Sequence, residues 1–318
     1  MSKILTFRIN FACGAGKYSD KSKTYEIGAI NAYHGGIPTF INIQKVFMKS
    51  KILSVAALAA VAAAVSILSA PAHAVTVTNS AIASDLANAI AGTGVTISNA
   101  SLNTNTTNGT GTFADGVGSV GFANGIILTT GALTCVPGPN NQTGCSGNGS
   151  STSLKFDFQS TSGEVFFKYV FASEEYNEFV GSGFNDSFQL LLNGVNIALV
   201  PGGGGVVTIN NVNCASNASF YRNNSNPGIN TGCANQNLDI QYDGLTTVLT
   251  AGASLLAGVN TFEFLIQDVG DTILDSGVFI QAGSFSSTNP NQVPEPGSLA
   301  LMGLALAGLA TARRVSRK

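Results

Sequence analysis

Clusters of Gly, Asn and Ser cut the stretch from Val75 to Gln292 into short apolar runs, and this punctuation limits the fold to short strands. The runs are 95–97, 125–130, 154–158, 165–171, 187–192, 196–200, 206–209, 246–249, 261–266 and 277–282. That many short strands with turn-rich joints predicts an all-β fold, a jelly-roll-like β-sandwich. One short N-terminal helix is the exception. Ile82, Leu86 and Ile90 fall on one helical face, with Asn79 or Ser80 as cap and Gly92 as stop. Long helices are absent from the pattern, which argues against a βαβ fold, and no fixed-period repeat is present.

Charge divides the chain into three regions. Between Val75 and Gln292 the only basic residues are Lys155, Lys168 and Arg222, against fourteen of the seventeen acidic ones. An acidic body lacks the basic groove that nucleic acid requires. Both histidines, His34 and His73, precede Val75. The body therefore has no imidazole for Ser–His–Asp or Cys–His catalysis, nor for the usual zinc sites.

Both ends read as address labels. From Met48, a basic start at Lys49 and Lys51 leads into the apolar run 52–68 and the small-residue site Ala72-His73-Ala74. This is the three-part pattern of a secretory signal peptide over 48–74, with cleavage expected between Ala74 and Val75. Residues 1–47 then read as an upstream extension from a mis-called start. After a linker at 286–292, the segment 293–318 holds Val293-Pro294-Glu295-Pro296, an apolar stretch over 299–310 and a basic end with Arg313, Arg314, Arg317 and Lys318. The apolar part, read as a short transmembrane helix, falls below the ~20 residues of a stable span and suits transient inner-membrane contact. This tripartite tail resembles the PEP-CTERM sorting signal. The resemblance implies processing by an exosortase, a membrane protease, in a Gram-negative bacterium that makes exopolysaccharide.

Export places the body in an oxidising compartment. Cys135 and Cys145 bracket one polar loop and Cys214 and Cys233 another, so Cys135–Cys145 and Cys214–Cys233 are the expected disulfides.

The acidic residues cluster. One group is Glu174, Glu175 and Glu178 with Asn185 and Asp186, the second is Asp268, Asp271 and Asp275, and Asp243 lies between them. Carboxylates and Asn on loops offer the hard oxygen ligands that Ca²⁺ takes, and these nine residues are the candidate calcium ligands. The same carboxylates can instead cap turns or face solvent. A carboxylate pair among Glu174, Glu175 and Glu178 would also suit glycoside hydrolysis. With no Trp, Tyr176, Tyr221 and Tyr242 would have to serve as sugar platforms.

The motifs FASEEYNEF at 171–179, FNDSF at 184–188, YDGLTTVLTA at 242–251 and DVGDTILDSGVF at 268–279 resemble the choice-of-anchor L domain. The likeness covers nearly all of 75–285 and implies a bacterial surface domain without an assigned enzyme activity. The chain is expected to be an exported cell-surface or extracellular-matrix protein, membrane-anchored before sorting and not an enzyme. Its expected role is adhesion or exopolysaccharide and biofilm association, with polysaccharide or another surface protein as partner. The alternative is a secreted carbohydrate-active enzyme.

Overall fold

The computed structural model describes residues 31–34, 37–40, 74–140, 147–225 and 232–289. The chain divides into two compact units, 1–70 and 71–318. In the first, Asn31–His34 (β1) and Ile37–Phe40 (β2) pair antiparallel, with His34 opposite Ile37. The signal peptide, the sorting tail and Cys145 lie outside the described residues.

The second unit is an antiparallel β-sandwich with one helix. Its elements are Thr76–Asn79 (β3), Ala83–Ile90 (α1), Val95–Thr104 (β4), Thr110–Ala114 (β5), Gly125–Thr129 (β6), Ser151–Ser160 (β7), Glu164–Ser173 (β8) and Ser187–Leu192 (β9). Val195–Asn196 (β10), Tyr221–Asn223 (β11), Gly244–Thr246 (β12), Leu249–Ser254 (β13), Asn260–Gln267 (β14) and Ser276–Gln281 (β15) complete it. One sheet runs β10-β9-β14-β7-β4; the other runs β11-β12-β8-β15-β6-β5-β3, with β13 also on β8.

The two sheets differ in pattern because they differ in burial. β14 and β9 alternate buried and half-buried residues along their length, as strands with one wet face do. β6 is buried at every residue and β15 at all but its last. Their inner residues Ile126, Leu128, Val278 and Ile280 meet Phe156, Phe158, Phe262 and Phe264 of the opposite sheet. Their outer residues Ile127 and Phe279 pack under Phe113, Val120, Phe122, Val136 and Ile240. The larger sheet is thus covered on both faces, by the smaller sheet and by loops. Phe285 closes the main core, its ring 4.9 Å from Phe158 and 5.1 Å from Phe262.

Several local expectations change. The helix starts at Ala83, after a strand that takes up Thr76–Asn79. Leu86, Ala87 and Ile90 face the core, whereas Ile82 is the extended N-cap and 58 % exposed. Gly92 does not stop the helix by a left-handed turn. A Cβ there would lie 2.2 Å from the Gly283 carbonyl, so glycine permits a close backbone approach. Of the strand expected over 196–200, only Asn196 joins a ladder, with Val195 before it, and Leu199 makes a single bridge. The Asn196 side-chain oxygen accepts the amides of Leu190 and Ala198 and replaces the ladder. Over 206–209 only single bridges form, Val206 with Leu199 and Thr208 with Ser187. Cys214 and Cys233 are joined by a disulfide with Cα atoms 5.7 Å apart. Cys135 is also disulfide-bonded.

Candidate functional site

Two connections cross between the sheets at one end of the sandwich, and both are acidic. Residues 174–186 lead from β8 to β9, and residues 268–275 lead from β14 to β15. Register places their ends together. Ser276 lies opposite Ser173 in the larger sheet, and Gln267 lies opposite Ser187 in the smaller one. Glu175, Asp186, Asp268 and Asp275 are thereby buried at the same end, with Asp271 half-buried beside them.

Asp186 ties the sheets to each other. Its Oδ1 accepts the Val269 amide at 2.8 Å and its Oδ2 accepts the Ser276 hydroxyl at 2.7 Å. Asp275 is fully buried, and its Oδ2 accepts Thr129 Oγ1 at 2.8 Å and the Tyr242 hydroxyl at 3.1 Å. Gly131 makes room for it, since a Cβ there would come within 2.6 Å of the Asp275 side chain. Asp271 accepts the Ile273 amide in a local turn at 2.9 Å.

The remaining oxygens are not so well served. Both carboxylate oxygens of Asp268, Oε2 of Glu175 and Oδ1 of Asp275 are buried with no hydrogen-bond partner. Burial first, then the charges of Asp186, Asp271 and Glu178, pushes the Glu175 carboxyl up to about 8. Burial, then Asp186, Asp271, Glu175 and Asp275, pushes Asp268 up to about 8. Burial raises Asp275 to about 7 and Asp186 to about 6, although hydrogen bonds oppose both shifts. Among the described residues, the charges that act on these groups are negative. Arg222 donates instead to the Ser119 carbonyl and to Gln236. Lys155 and Lys168 lie within β7 and β8.

The nine candidate ligands therefore separate. Glu175, Asp186, Asp268, Asp271 and Asp275 come together. Glu178 is exposed at the margin. Asn185 is committed to the Asn210 amide at 3.0 Å. Asp243 belongs to a different polar patch, where it accepts Asn140 Nδ2 at 2.6 Å. Glu174 is buried, and its amide donates to the Asp275 carbonyl at 3.0 Å. Among the described residues, no group of three or more His, Cys, Asp or Glu side chains is arranged to hold a metal ion. Tyr176, Tyr221 and Tyr242 are buried, so they cannot be sugar platforms. Tyr242 and Thr129 instead support Asp275, and Ser276 supports Asp186. Tyr242 and Ser276 lie within the quoted motifs, but Thr129 is on β6, distant in sequence, and no local pattern marks it.

A second feature lies on the smaller sheet. A groove of about 290 Å³ runs beside β9, lined by Ser187, Gln189, Asn196 and Thr208 with Val206 and Val269. None of its lining residues is charged.

A β-sandwich with acidic sheet crossings, ahead of a PEP-CTERM-like segment, has the organisation of a bacterial surface domain. The choice-of-anchor L domain model matches residues 74–286, and the chain belongs to that family. The PEP-CTERM protein-sorting motif matches residues 292–315. The protein is thus exported, sorted through an exosortase and surface-associated, in a Gram-negative bacterium. No curated protein and no solved structure matches the chain. Among the described residues, no helix is long and apolar enough to cross a membrane.

Proposed function

We propose that the domain is a non-catalytic binding module that acts in adhesion or in holding exopolysaccharide at the cell surface or in the matrix. The observation that carries this reading is the groove beside β9. Amide and hydroxyl groups at Ser187, Gln189 and Asn196 lie next to Val206 and Val269, which are 46 % and 38 % exposed. Uncharged hydrogen-bonding groups over a small apolar floor suit the hydroxyls and ring faces of a neutral polysaccharide. On this reading the apolar part of the sorting tail holds the chain briefly at the inner membrane before exosortase acts.

The alternative, a carbohydrate-active hydrolase, draws support from the raised Glu175 carboxyl, since a general acid must hold its proton near neutral pH. Against it, Glu174 and Glu175 are buried while Glu178 is exposed, and none of the three lines the groove. Retention of the full chain on immobilised exopolysaccharide, with and without Ser187→Ala plus Gln189→Ala, tests the proposal. The double variant is expected to weaken retention about tenfold, or ~1.4 kcal/mol. Release of reducing ends by the parent chain, abolished by Glu175→Gln, would establish the hydrolase instead.

A further inference from the structure

We infer that the acidic end of the sandwich is a divalent-cation site of calcium type, formed by Glu175, Asp268 and Asp271 with Asp186 behind them, which clamps the two sheet crossings together. Three observations meet there. Both oxygens of Asp268 and Oε2 of Glu175 are buried without a hydrogen bond, although each residue is more than nine-tenths shielded. An unpaired buried polar oxygen is costly, and an unpaired buried charge more so. The groups come from both crossings, Glu175 and Asp186 from one and Asp268 and Asp271 from the other. Each is within electrostatic reach of the others, and among the described residues no basic side chain acts on any of them.

Hard carboxylate oxygens without imidazole or free thiolate select calcium or magnesium over zinc or copper. Calcium accepts the irregular, partly bidentate set that two loops can provide, whereas magnesium demands a near-ideal octahedron. The carboxylates do not yet surround a common point, as expected of like charges with nothing between them. Binding on this inference requires Glu175 and Asp271 to turn about their side-chain bonds toward Asp268. Asp186 keeps its bonds to Val269 and Ser276 and supplies charge and position. Asp243 and Asn185 are excluded because Asn140 and the Asn210 amide engage them. The site does not depend on what the outer surface binds, and polysaccharide binding can fail while the ion is held.

The test uses the full chain, stripped with EDTA and desalted. Calorimetric titration with CaCl₂ is expected to show one saturable site, with the melting temperature rising by about 5–10 °C at a hundredfold excess over Kd. MgCl₂ is expected to give a smaller rise. Asp268→Asn and Glu175→Gln should each abolish most of the rise, yet in EDTA at pH 8 and above melt no lower than the parent, because each removes a carboxylate whose ionisation burial opposes. Asp243→Asn should keep the full rise. Terbium emission sensitised by nearby tyrosines and displaced by CaCl₂ reads the parent chain directly, should a variant fail to fold. Absence of both calcium heat and sensitised emission would overturn the inference. So would an equal shift with magnesium, or an Asp268→Asn chain that keeps the parent's calcium response.

Discussion

Asp275 shows how much one side chain at this end depends on its neighbours. Thr129 and Tyr242 both donate to its Oδ2, and Tyr242 fits only because residue 277 is glycine; a Cβ there would lie 2.5 Å from the tyrosine hydroxyl. Asp275→Ala removes the acceptor shared by two buried hydroxyls, leaving Tyr242 only its bond to Thr129 Oγ1, and is expected to cost about 2–4 kcal/mol. Asp275→Asn keeps an acceptor oxygen and replaces a carboxyl that burial already holds close to neutral, so it should cost less than about 1 kcal/mol. Gly131→Ala forces a methyl group against Asp275 and is expected to cost about 1–3 kcal/mol through overpacking. Urea denaturation of the three variants gives the order, and Asp275→Asn below Asp275→Ala in stability would contradict it. The glycines at 131 and 277 could not be recognised from sequence. Their role is set by a side chain on another strand, and the chain offers thirty-seven glycines among which nothing local singles these out.

At the level of the element, legibility followed burial. β14 and β9 have one wet face, so their alternation is written in the residues. β15 and β6 are covered on both sides, and their continuous apolar runs still read as strands. What escaped was the short edge structure. β3 is Thr-Val-Thr-Asn and β11 is Tyr-Arg-Asn, the two edges of the larger sheet, and both form by pairing to an inner strand rather than by their own pattern. The crossings behaved in the same way. The sequence pointed to the acids of 174–186 and 268–275, but only strand register shows that these two segments are neighbours, and only the bond from Asn140 shows that the Asp243 side chain is engaged elsewhere. The excursion between β10 and β12 is rich in Asn, Ser and Gly and reaches the core mainly through Val200, Val207, Ile209 and Val212 before Cys214, and the Cys214–Cys233 bond closes nineteen residues of it. Replacing both cysteines by serine is therefore expected to cost about 3 kcal/mol by the chain-entropy relation. Far-ultraviolet circular dichroism should change little, because the closed loop contributes to the sheets only the three-residue edge strand β11. A loss of β signal would show that the bond holds the sandwich itself.

For the whole molecule, the acidic end sets an unusual dependence on pH. Glu175 and Asp268 have folded carboxyls raised to about 8, and Asp275 and Asp186 are raised to about 7 and 6. An unfolded carboxyl ionises near 4. Between those values the folded chain holds protons that the unfolded chain has released, so the unfolded state binds fewer, and stability falls as pH rises. Their contribution is complete below about pH 4 and is lost progressively until about pH 8. Asp157, lowered chiefly by its hydrogen bonds from Asn99 and Thr261, runs the other way but is exposed and carries little weight. In EDTA, the melting temperature should therefore be higher at pH 5.5 than at pH 8, opposite to a protein held by salt-bridged carboxylates. Calcium can replace those protons as the counter-charge only where the carboxyls ionise, so the rise it produces should grow between pH 5.5 and pH 8. Scanning calorimetry at the two pH values, in EDTA and in CaCl₂, separates the two effects. A melting temperature in EDTA that climbs with pH would mean that the carboxylates at this end are solvated, and that burial does not govern them.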